Sequence, residues 1–136
     1  MLNLRAIKCH FQTNGQIVRA VDGVNLDIVK GETFALVGES GCGKSTLAKI
    51  ILGLAPITAG SMSFAGEPLI KFNKRFRRRV QVVFQDPYSS LTPRLKVSPI
   101  LSDPRWAHGF KRDEVTQQDE LVMALVGLQT YAGNLY

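Results

Sequence analysis

Cysteine is scarce in this sequence of 136 residues, and long apolar runs and internal repeats are absent. Two cysteines cannot make the disulfide framework of a small secreted domain, so we expect a reducing compartment. No apolar stretch approaches the roughly 20 residues of a membrane-spanning helix. Residues 1–5 lack the charged, apolar and small-residue zones of a signal peptide. What remains is an ordinary globular chain, with 45% apolar residues to form one core.

The net charge of +6 belongs to one segment of the chain. Residues 71–79 contain six Lys or Arg residues and no acidic residue, and the rest of the chain is neutral. Phe72 and Phe76 are spaced i and i+4 within this segment, as on the buried side of a helix. This pattern favours a solvated basic face beside an apolar anchor over a nucleic-acid site, with contact to a membrane protein or to anionic headgroups as the next alternative.

Residues 38–46 form a phosphate-binding loop, in which a glycine and four further residues precede Gly-Lys-Ser. An apolar strand pattern precedes this loop, and an apolar helix pattern runs from Lys44 to a stop at Gly53. Glycines let backbone amides converge on a polyphosphate, and the helix adds its positive dipole end. Lys44 is expected to reach the β- and γ-phosphates, and the Ser45 hydroxyl is expected to bind Mg²⁺. The residues predicted to bind nucleotide here are Gly38, Glu39, Ser40, Gly41, Cys42, Gly43, Lys44, Ser45 and Thr46.

Apolar periodicity predicts the other strands. Alternation at residues 2–6 and 24–28 predicts a small antiparallel sheet before the phosphate loop. Short apolar runs predict further strands at 33–37, 61–65 and 80–84, and the last of these has the composition of a strand buried in a parallel sheet.

Helices are predicted in the basic segment and after residue 97. Ser98 as N-cap and Pro99 at the first helical position predict one short helix in a region broken by prolines. A second helix is predicted at 113–126, followed by Gly127 as its stop. Its apolar face is predicted to contain Val115, Leu121, Val122 and Leu125.

Four stretches together resemble the ATP-binding subunits of ABC transporters, most closely the oligopeptide and dipeptide importer branch. They read AVDGV at 20–24, GET at 31–33, VGESGCGKSTL at 37–47 and VFQDPYSSL at 83–91. The resemblance implies an α/β fold of the P-loop NTPase type. Residues 1–136 would form part of the nucleotide-binding domain. An N-terminal antiparallel β subdomain, the phosphate loop and the Q-loop strand would occupy 1–85, and the start of a helical subdomain would occupy 86–136.

The same resemblance implies roles, cofactors and partners. Gln85 would be the Q-loop glutamine, which helps to ligate Mg²⁺, positions the attacking water and begins the segment that touches the membrane subunits. Phe11 would stack on adenine, although an ordinary core phenylalanine remains an open alternative. The implied cofactors are ATP and Mg²⁺. The implied partners are membrane-spanning permease subunits and a second ATP-binding subunit, without nucleic acid, on the cytoplasmic face of the membrane.

Part of the family's catalytic machinery is not found in these 136 residues. Hydrolysis in the family needs an apolar strand ending in Asp-Glu, a Ser-Gly-Gly-Gln signature and a switch histidine. Asp119 and Glu120 are predicted to lie solvated on the polar side of a helix, and His10 and His108 are predicted to be surface or packing residues. We therefore expect the N-terminal half of a subunit, which binds ATP but does not turn it over alone.

Two other functions remain open at this point. A different P-loop phosphotransferase, such as a nucleotide kinase, would also contain a phosphate loop, but Gln-Asp-Pro after a buried strand argues against it. A non-catalytic nucleotide-binding module is the other alternative.

Overall fold

An antiparallel sheet of four strands begins the chain in this computed structural model, which describes residues 1–86, 90–92 and 94–131. The strands are β1 (Leu2–Thr13), β2 (Gln16–Ile28), β3 (Ala59–Phe64) and β4 (Glu67–Pro68). Their order across the sheet is β2-β1-β3-β4, and all neighbours are antiparallel. The strands predicted from alternation and the strand predicted near residue 61 are confirmed.

A two-residue turn sets the register of the β1–β2 hairpin. Asn14 and Gly15 have φ values of 50° and 77°, so both central residues are left-handed and the turn matches the twist of the strands. Thr13 consequently lies opposite Gln16. The ladder is irregular at Ala6, whose N–H donates to Oδ1 of Asn25 at 2.8 Å, so the amide at the irregularity keeps a partner.

Helix α1 (Lys44–Ile51) packs on the sheet and completes the core of this part of the chain. Leu47 and Ile50 are one turn apart and both are buried, while Gly53 follows the helix with a φ of 72°, as expected for a stop. The buried apolar cluster comprises Leu2, Leu4, Ile7, Cys9, Val21, Leu47, Ile50, Met62, Phe64 and Phe76.

The basic segment contains helix α2 (Lys74–Arg79). Oδ1 of Asn73 caps it by accepting the Phe76 N–H at 2.9 Å. Phe76 is buried, and its ring meets that of Phe72 edge to face with centroids 5.4 Å apart. The predicted combination of an apolar anchor and a solvated basic face is confirmed.

The prediction of strands at 33–37 and 80–84 is wrong, because neither segment forms a hydrogen-bonded strand. Neither segment pairs with another strand among the described residues, and both are largely exposed, with Val37 88% and Val83 93% accessible. An apolar composition favours a buried strand, but a strand forms only where a neighbour accepts its backbone hydrogen bonds.

Two packed helices follow in the second part of the chain, α3 (Val97–Ala107) and α4 (Arg112–Leu125), and a 3₁₀ turn spans Gln129–Tyr131. Helix α3 begins two residues earlier than predicted, with Lys96 as its N-cap residue. Pro99 still lies in the first turn, where the missing N–H has no intrahelical acceptor. Helix α4 starts and ends within one residue of the prediction, and Gly127 follows it with a φ of 72°.

The face of α4 that packs on α3 differs from the prediction. Val115, Asp119 and Met123 are buried at intervals of four residues, whereas Leu121 and Leu125 are exposed. The prediction of a solvated Asp119 is therefore wrong. Its carboxylate accepts hydrogen bonds from Oγ of Ser102 and from Nη1 of Arg105, two residues of α3 that stabilise a charge in this interface.

The chain divides into two compact units, residues 1–81 and 82–136. Residues 87–89, which belong to the run at 83–91, and Pro93 lie outside the described residues. Among the described residues, no helix has the length and apolarity needed to cross a membrane.

Candidate nucleotide-binding site

The phosphate loop runs from Gly38 to the first turn of α1. Gly41 and Gly43 have φ values of 83° and 94°, left-handed conformations that favour glycine, and Gly43 is the N-cap residue of α1. The first hydrogen bond of the helix joins the Leu47 N–H to the Gly43 carbonyl at 2.9 Å. The amides of residues 44–46 thus precede the helical ladder, which is the arrangement that binds phosphate oxygens.

The Lys44 side chain folds over this loop. Its Nζ donates to the carbonyl oxygens of Gly38 at 2.7 Å and Glu39 at 2.5 Å, and it lies 3.5 Å from Sγ of Cys42. These contacts hold the ammonium group against the carbonyl oxygens at the start of the loop. The loop therefore contains a positive charge and a row of amide donors, which is what a polyphosphate requires.

Gly43 also attaches the loop to the sheet. A Cβ placed on Gly43 would lie 2.3 Å from the carbonyl oxygen of Ala20 in β2, so only a glycine permits this close approach. The sequence motif explains why glycine is needed for phosphate, but not why the sheet needs it at this position. We find no sequence signal for the contact with Ala20.

Phe11 lies on β1 and pairs with Val18 of β2, two residues before Ala20. Two residues of strand span about 7 Å, so this strand position is on the order of 10 Å from the point where the loop meets the sheet. The Phe11 ring is 38% exposed and lies outside the buried apolar cluster. This placement leaves the ring accessible, and its contact with adenine stays a prediction.

Gln85 is exposed at a bend in the second unit, whereas Ser45 belongs to the first unit. The prediction that both residues bind one Mg²⁺ therefore stays a prediction. Within the described residues, no group of three or more His, Cys, Asp or Glu side chains could hold a metal ion. The Ser45 hydroxyl, exposed in the first turn of α1, fits a Mg²⁺ ion that arrives with nucleotide phosphates, because such an ion needs few protein oxygens.

The two cysteines have different surroundings and are both free. Cys42 is exposed in the loop, and a side chain on Gly38 would lie 2.8 Å from its Sγ. Cys9 is part of the buried cluster on β1, and burial raises the pKa of its thiol.

Asp22 of β2 contacts two cations and a histidine beside this site. Its carboxylate lies 3.1 Å from Nζ of Lys8, 3.2 Å from Nε2 of His10 and 3.7 Å from Nη1 of Arg19. The hydrogen bond from Lys8, followed by that from His10, lowers the pKa of Asp22 below its ordinary value, while desolvation opposes this.

A pH dependence of folding stability follows from the lowered pKa of Asp22. The contribution is fully present above the ordinary pKa of an unfolded aspartate, near 3.9, and is lost as the pH falls through the lower pKa of the folded state. We expect the urea midpoint of Asp22→Asn to be lower than that of the parent at neutral pH, and the difference to shrink in acid. A difference that stays constant from neutral pH to below pH 3 would contradict this assignment.

Comparison with known proteins identifies the family. A sequence model described as ABC transporter matches residues 21–135. The chain belongs to the ABC transporter family. The match includes the phosphate loop, helix α1 and both helices of the second unit, so this ABC chain is similar to its family in both compact units.

Several curated ABC proteins are similar to this chain. The oligopeptide transport ATP-binding protein OppF of Bacillus subtilis (strain 168) is 40% identical over the whole chain, which covers 47% of that protein. The dipeptide transport ATP-binding protein DppF of Escherichia coli (strain K12) is 41% identical over 85% of the chain and 36% of its own length. The OppF protein of the same strain is 35% identical over the whole chain and 45% of its own length. The chain therefore spans less than half the length of these relatives.

Solved structures show the same fold. A dimeric structure of MJ0796, a bacterial ABC transporter cassette, superposes with a TM-score of 0.77 at 23% identity, over 99% of this chain and 61% of that one. A dimeric post-hydrolysis state of the same cassette, bound to ADP and Pi, gives a TM-score of 0.76. The predicted fold, part of an α/β ABC ATPase core with an N-terminal antiparallel sheet, is confirmed.

Proposed function

We propose that this chain forms the nucleotide-binding part of an ATP-binding subunit that drives peptide import. The observation that carries the proposal is the phosphate loop, in which left-handed glycines lead into the first turn of α1 and the Lys44 ammonium group lies on the loop carbonyls. The names of the three curated relatives, which are oligopeptide and dipeptide transport ATP-binding proteins, support a peptide as the transported solute.

Each candidate residue has a distinct role in this proposal. Lys44 would pair with the β- and γ-phosphates of ATP, and the Ser45 hydroxyl would hold a Mg²⁺ ion. When bound, Mg²⁺ would neutralise charge on the phosphates. Phe11 contacts the adenine ring, and Gln85 positions water near the γ-phosphate. The loop amides are a fixed set of donors, so they bind phosphate without reorganisation.

The partners belong to the same proposal. A peptide importer requires membrane-spanning permease subunits, and the dimeric cassette structures support a second ATP-binding subunit. The chain would then act on the cytoplasmic face of the membrane, where ATP is available.

Lys44→Ala is expected to weaken Mg-ATP binding by about one to two orders of magnitude, measured by titration calorimetry. A charge-assisted contact with phosphate contributes roughly 1.5–3 kcal/mol, which corresponds to this range. The matched control is Lys49→Ala, which removes an exposed cation from the last turn of the same helix. Equal affinities for Lys44→Ala and Lys49→Ala would contradict the role of the loop.

The transport part of the proposal is tested in cells. With Lys44→Ala in the encoding gene, uptake of a radiolabelled tripeptide should fall to the level of a gene deletion, whereas Lys49→Ala should preserve it. Normal tripeptide uptake in the deletion strain would exclude the peptide assignment without affecting the calorimetric result.

A further inference from the structure

The segment 71–79 presents an exposed cationic surface that lies outside the phosphate loop. We call it the basic surface. No acidic residue occurs from 68 to 85, so the segment supplies no counter-charge of its own. Among the described residues, no ion pair involves Lys71, Lys74 or Arg75. The six cations, all on exposed residues, are Lys71, Lys74, Arg75, Arg77, Arg78 and Arg79.

The packing of Phe76 determines which side of α2 faces away from the core. Its buried ring meets Phe64 and Phe72 edge to face, at centroid distances of 5.2 and 5.4 Å. Helical geometry places Lys74 and Arg78 one turn apart on the opposite side of α2. The buried ring thus keeps this cationic side of the helix directed away from the core.

Two of the guanidinium groups are held in place by the same aromatic cluster. The Arg79 guanidinium carbon lies 4.8 Å from the centroid of the Phe64 ring, and Nε of Arg77 donates to the Phe72 carbonyl at 3.1 Å. Ordering these long side chains in advance lowers the entropy that they lose on binding.

An exposed apolar residue lies directly beside the cations. Ile70 is 85% exposed, and it lines a groove of about 350 Å³. Lys71, Arg75 and Arg79 line the same groove, which also contains one acidic residue, Glu67, so three cations outnumber a single carboxylate there. An apolar side chain flanked by cations is suited to an interface that is negatively charged outside and apolar beneath.

We propose that the basic surface binds an anionic phospholipid membrane, with the cations on headgroup phosphates and Ile70 entering the interface. Nucleic acid would need accessible rings for base stacking, but Phe76 is buried and Phe72 packs on it. The membrane contact is separate from the proposed function, because it does not involve the phosphate loop. It would keep the ATP-binding unit at the membrane independently of a permease.

Flotation of the 136-residue chain with lipid vesicles tests this proposal, because aggregated protein sinks and only bound protein floats. We expect flotation with phosphatidylcholine vesicles that contain phosphatidylserine, loss of flotation in high salt, and none with phosphatidylcholine alone. Each cation near an anionic leaflet contributes about a fivefold factor, so the combined substitution of Lys71, Lys74 and Arg75 by Gln should weaken binding by roughly 100-fold.

The control variant removes the same number of positive charges from other positions in the first unit, with Arg19, Lys30 and Lys49 each replaced by Gln. It should float like the parent, and so should Lys44→Ala. Ile70→Ser should weaken vesicle binding several-fold and leave its salt dependence unchanged. Equal losses in both triple variants would overturn the proposal, because net charge alone would then explain binding. Binding to single-stranded homopolymeric RNA without flotation of the parent would also overturn it.

Discussion

Asp119→Ala is expected to destabilise the helical pair of the second unit by about 3 kcal/mol, at the lower end of the ~3–5 kcal/mol that follows when one partner of a buried ion pair is removed. The carboxylate is only 4% exposed and accepts hydrogen bonds from Ser102 and Arg105. Its removal leaves the Arg105 guanidinium, which is 20% exposed, without its anionic partner. Arg105 retains the Leu101 carbonyl at 2.9 Å and Gln118, which is why we expect the lower value.

Urea denaturation followed by tryptophan fluorescence measures the stability of this helical pair. The single tryptophan of the chain, Trp106, lies on α3 in the same helical pair. Glu120→Ala is the matched control, since Glu120 is the exposed acidic neighbour on α4. An equally small change in midpoint for both variants would contradict a stabilising role for Asp119.

A combined variant distinguishes two causes of the destabilisation in Asp119→Ala, namely the Arg105 charge left without a partner and the cavity left by the shorter side chain. Ser102→Ala, Arg105→Met and Asp119→Leu together replace the polar network by apolar groups. Such a replacement of a buried ion pair is often neutral, so much of the stability lost in Asp119→Ala should return. A triple variant less stable than Asp119→Ala would show that the network has a role beyond its internal pairing.

Gly43→Ala is expected to cost about 2–5 kcal/mol of folding stability and to weaken nucleotide binding. A left-handed residue with a side chain costs roughly 1–2 kcal/mol, and a forced contact in a packed region adds roughly 1–3 kcal/mol. Both terms apply here, because φ is 94° and the new Cβ would lie 2.3 Å from the backbone oxygen of Ala20. Relief requires the start of α1 to move away from β2, which displaces the amides that would contact phosphate.

Gly41→Ala separates the cost of the left-handed conformation from the cost of the steric contact with Ala20. Gly41 has a similar φ of 83°, but a Cβ there would meet nothing within 4 Å. Only the conformational cost of about 1–2 kcal/mol is therefore expected. This unit contains no tryptophan or tyrosine, so its unfolding in urea is followed by far-UV circular dichroism, while Trp106 fluorescence identifies the part of the signal that belongs to the second unit. Equal destabilisation by the two alanines would show that the approach of Gly43 to Ala20 is unimportant.

The short-range features of the first unit follow directly from sequence. Alternating apolar residues predict β1 and β2, and the phosphate-loop motif predicts the loop and the helix from Lys44 to the stop at Gly53. Each of these depends on residues close together in the chain, since helix caps, turns and glycine conformations are local. The resemblance to ABC transporters rests on the same motifs, and the family match confirms it.

Pairing and burial were decided by the tertiary structure. The segments at 33–37 and 80–84 have the composition of buried strands, yet neither is hydrogen-bonded as a strand within the described part of the chain, because pairing depends on a distant neighbour. A charged residue such as Asp119 normally indicates a solvent-exposed position. Asp119 is nevertheless buried, because Ser102 and Arg105 of another helix donate hydrogen bonds to its carboxylate. The contact of Gly43 with Ala20 likewise joins residues that no local pattern relates. Local periodicity therefore determines which elements form, whereas the partners of each element depend on contacts between distant parts of the chain.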